Sequence, residues 1–345
     1  MNFASDNVTG ASEEILEAII KANAGSAMPY GNDELTAQVD ARLSELFETN
    51  VRAFLVATGS AANSLALSVM TPPYGAVLCH WTSHIFEDEC GAPEFFTNGA
   101  RMIPIVGPDG KLDVTDLKDK ANRGTGDVHM VQPSVASITQ ITELGSVYTA
   151  SEIGTISEVC RSSGLKLHMD GARFANAVVA LGCPPADISW KCGVDALSFG
   201  ATKNGALCAE AVIFFDKALA DTFAFRRKRS GHLFSKMRLL SAQMDAYLTD
   251  DLWHRNATHA NAMSTRLRNG IKSLKSFEFP YSNDGNMLFT KLPASLYQAL
   301  TDEGFIFYGG RWDTDVTRLV TAFNTSKDNV DAFIRTSIRL NQREI

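Results

Sequence analysis

From Ala53 onward, short apolar runs alternate with stretches of helical periodicity, the pattern of a mainly parallel β-sheet covered by helices on both faces. AFLVA (53–57), AVLCH (76–80), RMIPIV (101–106), HMVQ (129–132), LKLHM (165–169), DALSF (195–199) and AVIFF (211–215) read as strands. The apolar segment from Ser60 to Met70 reads as a helix between the first two. Ahead of them, Ile15, Leu16, Ile19 and Ile20 form an apolar stripe behind two glutamates, with Ser12 placed as the helix cap.

After Phe215 the pattern changes. A basic helical stretch (226–238) leads into a long helical region ending near Leu274. NMLFTKL (286–292), GFIFY (304–308) and RLVTAF (318–323) then read as strands, and 326–341 as a closing helix. The expectation is an α/β protein in two parts. Residues 1–245 hold an N-terminal segment and a large domain, and residues 246–345 a smaller α+β domain.

Composition narrows the class. Of the 345 residues, 45% are hydrophobic and 21% charged, which excludes extended disorder, collagen and coiled coil. Lys+Arg 32 against Asp+Glu 39 gives a net charge of −7 without long like-charge blocks, so a nucleic-acid partner is not expected. The six cysteines show no C-x-x-C pair, no basic-then-apolar leader opens the chain, and the longest uncharged stretch, Ala53 to Phe86, is broken by prolines and polar residues. A cytoplasmic, membrane-free location with reduced thiols is the expectation.

Three segments carry chemistry. Ala57-Thr58-Gly59-Ser60-Ala61-Ala62-Asn63 lies between a strand and an apolar helix, where small residues let backbone N–H groups at the helix start face an anion. The plain alternative is a turn that uses Gly and Ser only for geometry. In Leu167-His168-Met169-Asp170-Gly171-Ala172-Arg173, Asp170 ends a strand, where open α/β sheets bind ligands. Its plain alternative is an Asp170–Arg173 pair, or a helix cap. In Ser198-Phe199-Gly200-Ala201-Thr202-Lys203-Asn204-Gly205, a lysine set among small residues between two core strands is placed for Schiff-base chemistry. The alternative there is a solvated amine.

Together a phosphate-cradling turn, an aspartate and a lysine, in that order, are the parts that hold pyridoxal 5′-phosphate. The lysine binds it covalently and the aspartate keeps its ring nitrogen protonated. His168, two residues before Asp170 and on the same strand face, is expected in the core. No metal is called for.

With these segments on the page, the chain resembles the low-specificity L-threonine aldolases, pyridoxal-phosphate enzymes of fold-type I. The resemblance rests on Ser5-Asp6-Asn7, Tyr30-Gly31, Thr58 to Asn63, His84, Glu89, Asp170-Gly171-Ala172-Arg173, Lys203 and Arg318, and it spans nearly the whole chain. It implies Lys203 as the cofactor lysine and Asp170 as the ring-nitrogen partner. Thr58, Gly59 and Ser60 fall to the phosphate, and His84 stacks on the ring. Ser5, Tyr30, Arg173 and Arg318 fall to the substrate, the arginines and Ser5 at its carboxylate. The plain alternative for Arg318 is a pair with Asp313 or Asp315. Lys228 and Arg229, in AFRRKRSG, would reach the phosphate of a neighbouring subunit, because family sites lie at a dimer interface. A dimer of dimers is the expected assembly, a homotetramer.

The implied reaction is cleavage of the Cα–Cβ bond of L-3-hydroxy-α-amino acids, threonine and allo-threonine among them, into glycine and an aldehyde. One departure concerns the base. Some family members carry a histidine in the loop near residue 131, whereas this chain reads Gln132-Pro133-Ser134-Val135-Ala136-Ser137, taken here as loop. His84 becomes the leading candidate. The rival readings are a β-eliminating lyase or aminotransferase of the same fold, and a non-catalytic ligand-binding protein.

Overall fold

The computed structural model describes residues 1–342. Seven strands form the large sheet: β1 (Arg52–Val56), β2 (Gly75–His80), β3 (Arg101–Ile105), β4 (Gln132–Thr139), β5 (Lys166–Gly171), β6 (Ala196–Gly200) and β7 (Glu210–Phe214). Their order across the sheet is β1-β7-β6-β5-β4-β2-β3. The pairs β2–β3, β2–β4, β4–β5 and β5–β6 are parallel, and β7 runs antiparallel to both neighbours. Short β-branched and aliphatic runs suit such a sheet because both of its faces are covered.

The covering helices are α1 (Glu13–Ala22), α2 (Glu34–Leu46), α3 (Gly59–Met70), α4 (His84–Glu87), α5 (Ala92–Phe96), α6 (Val114–Asn122), α7 (Ala150–Ser162), α8 (Phe174–Leu181), α9 (Ala220–Arg229), α10 (Arg238–Leu248) and α11 (Leu252–Ile271). Alternate residues of each strand go to opposite faces. Phe54 and Val56 join Leu65, Leu67 and Phe223 on the α3 and α9 side, while Leu55 joins Phe47, Phe174 and Tyr247 on the other.

A second sheet, β8 (Met287–Lys291), β10 (Val316–Val320) and β9 (Tyr308–Gly309), is antiparallel. It packs with α12 (Ala294–Asp302) and α13 (Lys327–Asn341) around its own core of Leu288, Leu319, Phe305 and Phe333. Phe3 enters that core from the other end of the chain. Residue 245 lies inside α10, which packs on α1 and α2.

Four expectations are corrected. The fourth strand is Gln132–Thr139 rather than HMVQ, so residues 132–137 are strand and not loop. Pro133 misleads because it reads as a breaker; it sits at the strand's start, beside a register shift opposite Ala76 and Val77, where a missing N–H is tolerated. The basic stretch 226–238 is not one helix, since α9 ends at Arg229 and α10 begins at Arg238. GFIFY pairs only through Tyr308, with Ile306 forming one isolated bridge to Asn2. Ser12 occupies the cap position of α1 without a side-chain capping bond, its hydroxyl accepting instead from Asn256 at 3.0 Å.

Candidate active site

The site collects at the C-terminal ends of the parallel strands. Asp170, 3% exposed, is the penultimate residue of β5. Its Oδ1 accepts from the Ala172 N–H at 3.0 Å and its Oδ2 from Asn63 Nδ2 at 2.9 Å. Asn63 stands on α3, whose first turn follows β1 directly. The same amide nitrogen donates to Glu89 Oε1 at 3.0 Å. Glu89 Oε1 also meets His84 Nδ1 at 2.9 Å, and Oε2 accepts from Ser64 at 3.3 Å. One chain of bonds thus runs Asp170–Asn63–Glu89–His84.

Burial alone would lower the His84 pKa. The bond to Glu89 and the charges of Asp170 and Glu143 outweigh it, so the net shift is upward. Burial raises the Glu89 carboxyl, with repulsion from Asp170 adding to it, while bonds from His84 and Asn63 act the other way. Both shifts favour keeping a proton on the His84–Glu89 pair to higher pH than either group would alone. His168 is different: burial pushes it down to about 4, and its neutral ring lies between Ser137 and Ser198 at 2.8 and 3.1 Å.

Thr58 caps α3, its Oγ1 accepting from the Ala61 N–H at 3.1 Å. That leaves the N–H groups of Gly59 and Ser60 at a helix start facing outward. A side chain added at Gly59 would meet nothing within 4 Å, so the cradle is open. Lys203 lies in the short helical turn Thr202–Asn204 after β6, half-buried, and its side chain makes no hydrogen bond to a described residue. Its charge acts on Asp6, His84 and Glu210. Burial holds Glu210 up at about 7 against those pulls.

Arg173 does not pair with Asp170. Its Nε and Nη2 reach Asp6 at 2.7 and 2.9 Å, both residues fully buried, and Asn286 Nδ2 adds a third bond to Asp6 at 3.1 Å. Burial would raise Asp6, but Arg173 and Lys203 outweigh it and its carboxyl stays below the usual range. Ser5 is the neighbouring residue, its Oγ accepting from the Asn7 N–H at 3.1 Å. Arg318 does not pair with Asp313 or Asp315 either. It stands in mid-β10, 8% exposed, stacked 4.8 Å from the Trp312 ring centre, with Nη2 donating to the Ala4 carbonyl at 3.3 Å. Its Nε has no hydrogen-bond partner among the described residues, and burial beside Arg173 lowers its pKa to about 10.

Lys203, Asp170, His84, Arg173 and Arg318 thus share one electrostatic neighbourhood, with Thr58, Gly59 and Ser60 on the helix that brings Asn63 to Asp170. Among the described residues, Tyr30, Lys228 and Arg229 make no side-chain hydrogen bond or ion pair with any of these. Lys228 Nζ sits 4.8 Å from the centre of the exposed Tyr30 ring, and Arg229 is exposed at the end of α9. Sequence reasoning assigned no role to Asn63, Glu89, Asp6 or Glu143. An asparagine and a serine, Asn63 and Ser64, in mid-course of an apolar helix were a signal that polar partners face it.

The β-eliminating lyase family model matches residues 2–293. A low specificity L-threonine aldolase from Pseudomonas sp. (strain NCIMB 10558) is 42% identical over 327 residues, covering 92% of this chain and 94% of the relative. The chain belongs to the β-eliminating lyase family, among the low-specificity L-threonine aldolases. The aldolase of that name from Saccharomyces cerevisiae is 26% identical over 298 residues, 85% of this chain and 74% of the relative. A solved threonine aldolase of Leishmania major superposes with a TM-score of 0.92 at 29% identity, covering 99% of each chain. The fold of this threonine aldolase family member is thereby fold-type I, as expected from its residues.

Proposed function

We propose that the chain is a pyridoxal-phosphate-dependent aldolase that cleaves L-threonine, L-allo-threonine and related L-3-hydroxy-α-amino acids to glycine and an aldehyde. The observation that carries the reading is the placement of Lys203, with no hydrogen-bond partner among the described residues, in the same charged neighbourhood as the strand-end carboxylate Asp170. The residues fit the cofactor. An open cradle at Gly59, a buried carboxylate at Asp170 and a half-buried amine at Lys203 are what phosphate, ring nitrogen and aldehyde require.

Lys203 would hold the group covalently, Asp170 would accept its ring N–H, and the α3 start would take its phosphate. When bound, the ring supplies an electron sink for the pair left on the substrate's α-carbon. Asp170 is fixed in orientation by Asn63 and the Ala172 N–H, so its carboxylate need not reorganise. His84, its pKa raised by Glu89, presents an aromatic face and a ring N–H held in place by that bond. Arg318, whose Nε has no hydrogen-bond partner among the described residues, offers a planar donor for the substrate carboxylate beside Arg173 and Ser5.

Further parts of the reading concern the assembly and its location. The lack of a side-chain bond from Tyr30, Lys228 and Arg229 to the described residues around Lys203 supports a homo-oligomer, a dimer of dimers, in which one subunit lends these residues to its partner's site. Six free cysteines are consistent with the cytoplasm, and no helix among the described residues is long and apolar enough to cross a membrane. Aldehyde release and glycine formation from L-threonine, L-allo-threonine and phenylserine test the reaction. Pyruvate with ammonia, or a transferred amino group, would replace it with an eliminating lyase or an aminotransferase.

A further inference from the structure

The turn after β4, residues 140–148, is pinned on every side. The Gln140 N–H donates to the Asp170 carbonyl at 2.8 Å, and the Gln140 side chain clamps the Tyr148 backbone by two bonds, at 2.8 and 3.0 Å. The Thr142 and Ser146 hydroxyls both donate to the Asp109 carbonyl. From the small domain, Asp284 accepts from the Val147 N–H at 3.0 Å and donates its own N–H to Gly145. Thr142 and Leu144 are buried on either side of Glu143.

Glu143 itself is half-buried, and its side chain has no hydrogen bond to any described residue. Its charge nevertheless acts on His84, on Arg173 and on Arg318, three residues from three different elements. A pinned turn thus carries a carboxylate whose charge reaches all three groups.

The other acids of the site have their acceptor positions engaged. Asp6 serves Arg173 and Asn286; Asp170 serves Asn63 and Ala172; Glu89 serves His84, Asn63 and Ser64. His84 already meets Glu89 through its Nδ1. Arg173, Arg318 and Lys203 are cations. Glu210 accepts from the Ala201 N–H at 3.1 Å, so among these acids Glu143 is the one whose side chain has no hydrogen bond to a described residue.

We propose that Glu143 accepts the proton of the substrate's β-hydroxyl, a role that rests on the aldolase reading above. The O–H bond breaks with its proton passing to the Glu143 carboxylate, and the C–O bond becomes the aldehyde carbonyl as the Cα–Cβ bond breaks. The electron pair of that bond stays with the α-carbon, which later takes up one proton to give glycine. The net change is one proton moved from oxygen to carbon. A carboxylate on a pinned turn, within electrostatic reach of two arginines and an imidazole and with no hydrogen bond to a described residue, is free to accept from an alcohol.

The test compares two activities of one holoenzyme: cleavage of L-threonine, and exchange of the glycine α-proton in deuterated water, which involves no hydroxyl. Glu143→Gln should lower cleavage by roughly 10²–10⁴-fold, while exchange and calorimetric glycine affinity stay within about threefold of wild type. Glu143→Asp should restore part of the cleavage. A loss of cleavage that exceeds the loss of exchange by less than about tenfold overturns the proposal, whether both fall together or neither falls. Should Glu143→Gln fail to fold, the same ratio measured on Glu143→Ala decides. A wild type that makes no glycine from any 3-hydroxy amino acid would instead bring down the aldolase reading, and this role with it.

Discussion

Lys203 and Arg318 show how much a single side chain's surroundings determine what it does. Lys203 has no hydrogen-bond partner among the described residues, and Lys203→Ala should reduce turnover by roughly three orders of magnitude or more, since the covalent anchor and a proton carrier are lost together. Borohydride reduction of the wild type followed by peptide mapping checks the assignment; cofactor fixed at another lysine would refute it. Arg318→Leu should weaken glycine binding by roughly 2–5 kcal/mol, read by calorimetry, and Arg318→Lys should recover little, because a point charge cannot replace a planar fork. Wild-type affinity in either variant would place the carboxylate elsewhere. Lys203 was legible because it stands in a short run of small residues just past a strand end, whereas Arg318, in mid-β10, was legible only through the family resemblance. Asp6, Asn63 and Glu89 were harder to assign, because a buried polar residue is defined by partners distant in sequence: Asp6 meets Arg173 across 167 positions and Asn63 meets Asp170 across 107.

Among the elements, α3 links two sites. Its start faces the open cradle at Gly59, and one turn later Asn63 reaches Asp170 and Glu89. Thr58 sets that start. Thr58→Ala should cost about 1 kcal/mol of stability by chemical denaturation, and it should also weaken cofactor retention on dialysis, because the free N–H groups lose their fixed direction. A loss of stability with unchanged retention would separate the cap from the cradle. The strands of the large sheet were legible from their apolar runs, since strands covered on both faces need few polar residues. The fourth was displaced by three residues at its start because its opening proline sits beside a register shift that pattern alone does not reveal. That displacement also turned residues 132–137 from strand into loop, and with it the loop that carries Glu143 went unread.

Across the whole molecule, the first residues tie the two sheets together. Phe3 lies in the small-domain core and its carbonyl accepts from Val320, the Ala4 carbonyl accepts from Arg318, Asp6 pairs with Arg173, and the Ser12 N–H bonds to Gly205. Asp6→Asn should destabilise the protein by roughly 3–5 kcal/mol, because it leaves the buried Arg173 charge uncompensated. The pH dependence has a definite sign. The folded Asp6 carboxyl lies below its unfolded value of 3.8, so its contribution is present above that pH and is lost as pH falls through the folded value. Denaturation midpoints of wild type and Asp6→Asn should therefore converge on acidification, and a gap that widens would contradict the pairing. The same ties impose a timetable on synthesis. Ala4 leaves the ribosome 314 positions ahead of the Arg318 it must meet. The strap at the start of the chain has nowhere to dock until nearly all of it has been made, and the corner around Arg318 is assembled late. Until then Phe3 lacks the small-domain core it packs into, so the strap takes up its final place only after the residues of that core have been made.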